Sequence, residues 1–100
     1  METHQTIIQN IATKILGHKP YTGTTQPFYT PQEWKQRGEQ YGHNSLLIII
    51  HDGGDYAPLL NLDYQNYQMY ETMRKELETQ GYYTEQCTNW YSALYPIITP

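Results

Sequence analysis

The chain lacks the features that would place it in a membrane or outside the cell. It has one cysteine, Cys87, so it forms no internal disulfide. Its longest run of large apolar residues, 46–50, is far shorter than the roughly 20 residues of a membrane-spanning helix. The N-terminal METHQTIIQN has neither the basic nor the apolar segment of a secretory signal. These absences predict a cytoplasmic protein in a reducing compartment, without membrane attachment.

Charge is also scarce, and positive charge most of all. The 100 residues include 6 Lys and Arg against 10 Asp and Glu, which gives a net charge of −4. Proteins that bind nucleic acid need a basic surface, and aromatic stacking on bases needs a positive groove beside it. We therefore predict no nucleic-acid partner. No established cofactor or metal-binding motif is present, so we predict neither a cofactor nor a metal.

Tyrosine, in contrast, is abundant. The chain has 11 Tyr and 2 Trp but a single Phe. A tyrosine buried in a core must find a partner for its hydroxyl, whereas a half-exposed tyrosine offers rigid contact area, as at binding hot spots. The densest aromatic group lies near the C-terminus and supplies the candidate protein interface: Tyr82, Tyr83, Trp90, Tyr91 and Tyr95. A second group lies at the approach to the third predicted helix and in its first turns: Tyr56, Tyr64, Tyr67 and Tyr70.

Within the candidate interface, Trp90 and Tyr91 are adjacent in the chain. Neighbouring residues on a strand point to opposite faces of the sheet. We therefore expect at most one of the two in the core, and the exposed one to be the better anchor for a partner.

Periodicity predicts three helices. Apolar residues recur on one helical face over 7–16, after a possible N-cap at Thr3 and before Gly17, which suits a helix stop. Thr30-Pro31-Gln32-Glu33 has the pattern of a capping box and predicts a short helix ending near residue 41. A third helix is predicted from about Tyr64, capped by Asp63, to residue 80. Residues 18–29 and 53–62 are predicted to be irregular.

Strands are predicted at 46–50, which has the apolar pattern of a strand buried on both faces, and at 82–88, with a further extended segment at 90–98. The fold class is α+β or small α/β. We expect three helices packed on a short sheet of two to four strands, as one domain over residues 1–100. The strands at 46–50 and 82–88 would form a central β-α-β unit with the third helix, and would run parallel if they share a sheet.

Polar residues follow the strand at 46–50. His51, Asp52 and Asp55 surround a Gly pair, and this position is where open α/β sheets often place a ligand. Imidazole and carboxylate groups could serve a small hydrolase or a ligand-binding domain. The same residues also suit a tight turn, since Gly adopts positive φ and Asp bonds to nearby backbone. We favour the turn, and we interpret Cys87 as a packing residue.

In size and composition the chain resembles the small accessory proteins of phages and mobile elements, including inhibitors of host defence. The tyrosine groups predict a non-enzymatic protein-binding module that blocks its partner sterically, and the resemblance implies an inhibitor of a host protein encoded by a phage or mobile element. Two alternatives remain open. One is the hydrolase or ligand-binding domain at His51, Asp52 and Asp55, and the other is an obligate homodimer with a structural role, in which the aromatics complete the core.

Overall fold

A computed structural model describes residues 3–98 and shows an α+β fold. The described residues form four α-helices, one short 3₁₀ helix at Leu62–Tyr64 and four strands. The helices are α1 His4–Leu16, α2 Pro31–Gln36, α3 Ala57–Leu60 and α4 Tyr67–Thr79. The strands are β1 Phe28–Tyr29, β2 Leu47–Ile50, β3 Tyr82–Gln86 and β4 Tyr91–Pro96.

The strands form one sheet in the order β1-β2-β4-β3, and every neighbouring pair is antiparallel. Because β2 and β3 both run opposite to β4, they run parallel to each other. The predicted β-α-β unit is therefore present in split form, with β4 inserted between its two strands. β3 lies at one edge of the sheet and pairs only with β4 among the described strands.

Local end signals explain where α1 and α2 lie. The Thr3 hydroxyl accepts a hydrogen bond from the Thr6 N–H, and Gly17 adopts φ 79°, so both ends of α1 agree with the prediction. Thr30 and Glu33 form the predicted capping box at the start of α2. The expectation that α2 reaches residue 41 is wrong, because Gly38 at φ 84° ends it.

Two further corrections concern the helices. Residues 53–62 are not all irregular, since α3 adds a fourth helix of one turn, too short to produce a periodic pattern. The α4 helix begins at Tyr67, later than predicted, because the Asn66 side chain caps it by accepting from the Met69 N–H. Asp63 lies instead in the 3₁₀ helix.

The predicted strands at 46–50 and 82–88 and the extended segment at 90–98 are present as β2, β3 and β4, and all four residues of β2 are buried. The loop predicted over 18–29 ends in β1, which the prediction missed. β1 is only two residues long and pairs Phe28 with Ile49 and Tyr29 with Ile48. A strand that short has no alternation to detect.

The sheet is buried on both faces by different elements. One face, called here the helix face, packs against α1, α3 and α4 through the larger hydrophobic cluster. The other, called the outer face, packs against α2 through a smaller aromatic cluster centred on Trp34, Ile48 and Tyr91. Trp34 is 0% exposed, and the Arg37 guanidinium lies 4.9 Å from its ring. The outer face thus has its own small core.

Candidate protein-binding surface

The outer face is exposed at its β3 end. Strand alternation places Tyr83 and Glu85 of β3 on this face, with Tyr95 of β4 directly opposite Tyr83. The Tyr83 and Tyr95 rings stack with their centroids 5.5 Å apart and their planes 22° apart. Tyr83 is 38% exposed, and Glu85 is exposed. We call these three residues the tyrosine face.

The tyrosine face carries two phenol groups and one carboxylate. Burial raises the pKa of Tyr95, and the negative charge of Glu85 adds to the same direction. Tyr95 therefore keeps its hydroxyl proton near pH 7. Glu85 forms no ion pair with another residue of the described range 3–98, so its charge is available to a partner.

The other three interface candidates lie elsewhere. Tyr91 is 1% exposed, and its hydroxyl accepts a hydrogen bond from the Tyr41 N–H at 3.3 Å, so it belongs to the core. Trp90 is half-buried, with its ring 4.7 Å from that of Tyr91. Tyr82 points to the helix face, where its ring meets His4.

Trp90 and Tyr91 do not both lie on a strand, which is the condition under which they were expected on opposite faces, and only Tyr91 is fully buried. β4 begins at Tyr91, so Trp90 lies in the turn before the strand, where alternation does not apply. Both rings join the aromatic cluster of the outer face. Of the five candidates, only Tyr83 and Tyr95 come together as a partly exposed pair.

His51, Asp52 and Asp55 do not converge on one site. His51 is 0% exposed, and its Nε2 lies 3.0 Å from Ser92 Oγ inside the helix face. Burial lowers the pKa of His51 to about 4, only partly offset by the charge of Asp52 and by the Tyr91 backbone. The imidazole is therefore neutral and inaccessible, and it cannot take a proton from a bound substrate in this conformation.

Asp55 is held by a structural contact. Its Oδ2 accepts a hydrogen bond from the Tyr21 N–H at 2.8 Å, while its own N–H donates to the Tyr21 carbonyl at 2.7 Å. A Cβ on Gly54 would lie 2.6 Å from the Thr22 carbonyl oxygen, so only glycine permits this contact. Asp52 is exposed. The segment 51–55, called here the strand-exit turn, thus anchors the loop at 18–27.

The described residues give no support for a metal site or for a nucleophilic cysteine. Across residues 3–98, no cluster of three or more His, Cys, Asp or Glu side chains could hold a metal ion. Cys87 is half-buried, and burial raises the pKa of its thiol to about 11, the opposite of what a nucleophilic thiolate requires. The structure thus gives no support for an active site built on these residues.

Sequence reasoning identified the tyrosines but missed Glu85 as their neighbour. The signal for it was present, since Glu85 stands two residues after Tyr83 and shares its face on any strand. What the sequence could not show is that Tyr95 lies opposite Tyr83, because that depends on the register of β3 with β4.

Comparisons of the chain with protein-family models, with curated proteins and with solved structures found no match. Among the helices formed by residues 3–98, none combines the length and apolar character required to cross a bilayer.

Proposed function

We propose that this chain is a small, non-enzymatic protein-binding module that acts by steric blockade, with the tyrosine face as its contact surface. The observation that carries the proposal is the stack of Tyr83 and Tyr95 at the uncovered end of the outer face. Two aromatic rings left partly in water next to each other form a small, rigid patch, and such patches are typical of interaction sites.

Stacking makes the patch efficient for binding. Each ring restricts the other before a partner arrives, so little side-chain entropy is lost on association. The Tyr95 hydroxyl keeps its proton and can donate to a carbonyl oxygen of a partner, while both rings provide apolar area.

The edge of β3 extends this surface. Its outward backbone groups have no strand partner among the described residues, so an extended segment could add to the sheet beside Tyr83. Glu85 and the net charge of −4 favour a partner segment that carries basic side chains. The occupant that fits best is an extended strand with apolar and basic residues in alternation.

The direct test is affinity capture from lysate of the organism that carries the gene, followed by measurement of the affinity for the captured protein. Tyr83→Ala should weaken the complex by about 2 kcal/mol, roughly thirtyfold, with little change in melting temperature. Tyr67→Ala is the matched control, because Tyr67 is 62% exposed but lies at the start of α4. Equal binding by all three proteins would refute the proposal.

The homodimer alternative has a distinct outcome. Sedimentation of the purified protein over a range of concentrations would show a dimer, and Tyr83→Ala would convert it to a monomer. That result would assign the tyrosine face to a second copy of this chain. Origin in a phage or mobile element, cytoplasmic location and action against host defence stay predictions, and neighbouring genes would test the first and the last.

A further inference from the structure

A cleft of about 280 Å³ lies between α1 and the loop that follows it. Gln9 and Thr13 of α1 line one side, and Lys19 and Thr22 of the loop line the other. The buried Tyr56 also lines the cleft. The cleft belongs to the side of the sheet that α1 covers, whereas the tyrosine face lies on the outer face. It is therefore independent of the proposed function.

Tyr56 places an unpartnered polar group in this cleft. The residue is 1% exposed, and its ring packs edge-on against Phe28 at 5.7 Å. Its hydroxyl makes no hydrogen bond to any residue between 3 and 98. Burial raises the pKa of Tyr56 to about 12, so the phenol stays protonated and can donate. The hydroxyl is not closed off from solvent, so it can donate a hydrogen bond to an acceptor that enters the cleft.

Lys19 determines the charge of a suitable ligand. It is exposed, it is the only charged side chain in the cleft lining, and no residue of the described range pairs with it. Asp55 of the strand-exit turn does not line the cleft, and its Oδ2 accepts a hydrogen bond from the Tyr21 N–H at 2.8 Å. An ammonium with no carboxylate beside it favours an anion.

The loop wall is held in place before any ligand binds. A Cβ on Gly23 would lie 2.9 Å from the Gly53 carbonyl oxygen, and one on Gly54 would lie 2.6 Å from that of Thr22. These two glycines let the loop press directly onto the strand-exit turn, and Asp55 locks it there with two hydrogen bonds to Tyr21. A wall fixed in this way reduces the ordering cost of binding.

We propose that the cleft is a binding site for a small anion, a carboxylate or a phosphate, which pairs with Lys19 and accepts a hydrogen bond from the Tyr56 hydroxyl. A volume of 280 Å³ corresponds to about nine water molecules at roughly 30 Å³ each, so the ligand has on the order of nine non-hydrogen atoms or fewer. The amide of Gln9 and the hydroxyl oxygen of Thr13 add polar contacts for its remaining groups.

The test is a titration of ¹⁵N-labelled protein, followed by amide shifts, with inorganic phosphate, phosphoglycolate and glycolate, and with glycolamide as the uncharged control. We expect saturable shifts at Thr13, Lys19 and Thr22 with at least one anion and none with glycolamide. If only inorganic phosphate and phosphoglycolate shift these amides, the site binds phosphates. If glycolate shifts them as well, the site also binds carboxylates.

Two variants and one control locate the site. Lys19→Gln should weaken the responding anion by about tenfold, and Tyr56→Phe by about fivefold without lowering the melting temperature. Lys35→Gln removes another exposed lysine, on α2 at the other side of the sheet, and should leave the affinity unchanged.

The proposal is overturned if no anion shifts these amides, or if Lys19→Gln and Tyr56→Phe bind as tightly as Lys35→Gln. Should Tyr56→Phe fail to fold, the Lys19→Gln result decides alone, because Lys19 is exposed and has no structural contact to lose.

Discussion

The two faces of the sheet are built from alternate residues of the same strands, yet they are covered very differently. On the helix face, α1, α3 and α4 enclose a cluster of 13 buried residues, most of them aliphatic. On the outer face, α2 covers a cluster of 5 buried residues, including Trp34 and Tyr91. The outer core is smaller, more aromatic and ends in an exposed tyrosine pair.

This difference explains the unusual composition. A six-residue helix cannot cover a four-stranded sheet, so large aromatic side chains supply the buried area that further helices would otherwise provide. Where α2 no longer reaches, tyrosine tolerates water through its hydroxyl. The outer face therefore changes from core to a partly exposed surface along the direction from β2 to β3, whereas the helix-face residues of β3 stay half-buried.

The largest expected effect comes from charging either core. Ile48 and Ile49 are neighbours on β2, both 0% exposed, and they face opposite sides of the sheet. Ile48→Asp and Ile49→Asp should each abolish cooperative folding, because an unpaired buried carboxylate costs more than a domain of this size can lose. Circular dichroism melts would show the loss of the cooperative unfolding transition. Asn44→Asp, exposed just before β2, is the control. A normal melt for Ile48→Asp would mean that the outer core is dispensable.

Removal of the Trp34 side chain, which lies at the centre of the outer-face cluster, should lower the free energy of unfolding by nearly as much. Trp34→Ala leaves a large cavity and should lower the free energy of unfolding by about 3–5 kcal/mol, while Leu77→Ala on the helix face should lower it by about 2–5 kcal/mol. Urea denaturation measures both. Tyr21→Ala is the surface control, since Tyr21 is 68% exposed. A cost below about 1 kcal/mol for Trp34→Ala would show that α2 does not stabilise the sheet.

His51 should make the helix face sensitive to acid. Its pKa is about 4 in the folded protein against 6.5 when unfolded, so the unfolded state binds the proton more readily. The stabilisation by neutral His51 is complete above pH 6.5 and is lost as the pH falls towards 4, by up to about 3 kcal/mol. Denaturation of wild type and His51→Gln across this range isolates the effect. Parallel curves for His51→Gln and wild type would contradict the assignment.

The smallest expected effect is a difference in the free energy of unfolding between substitutions of Asp55 and Asp52, the two carboxylates of the strand-exit turn. Asp55→Ala removes a charged acceptor from the Tyr21 N–H and should lower the free energy of unfolding by about 1.5–3 kcal/mol, with faster amide exchange over 18–27. Asp52→Ala, at an exposed position, should change it by less than about 0.5 kcal/mol. Equal costs would mean that the hydrogen bond from the Tyr21 N–H to the Asp55 carboxylate contributes nothing to stability.

The fold could be predicted from the sequence wherever a few neighbouring residues decide the structure. Thr3 and Gly17 bound α1, and Thr30 with Glu33 starts α2, because each end is satisfied by hydrogen bonds within three or four residues. The strand at 46–50 was evident because five apolar residues in succession are too few for a buried helix and suit a sheet covered on both sides.

The sequence by itself thus determined the fold class, the strand β2 and the abundance of tyrosine. Only the tertiary structure decided that β4 lies between β2 and β3, that Tyr91 is buried while Tyr83 is exposed, and that Tyr56 lines a cleft with Lys19. The physical reason is distance along the chain. Strand order, register and burial depend on segments tens of residues apart, and no local propensity records which of them will meet.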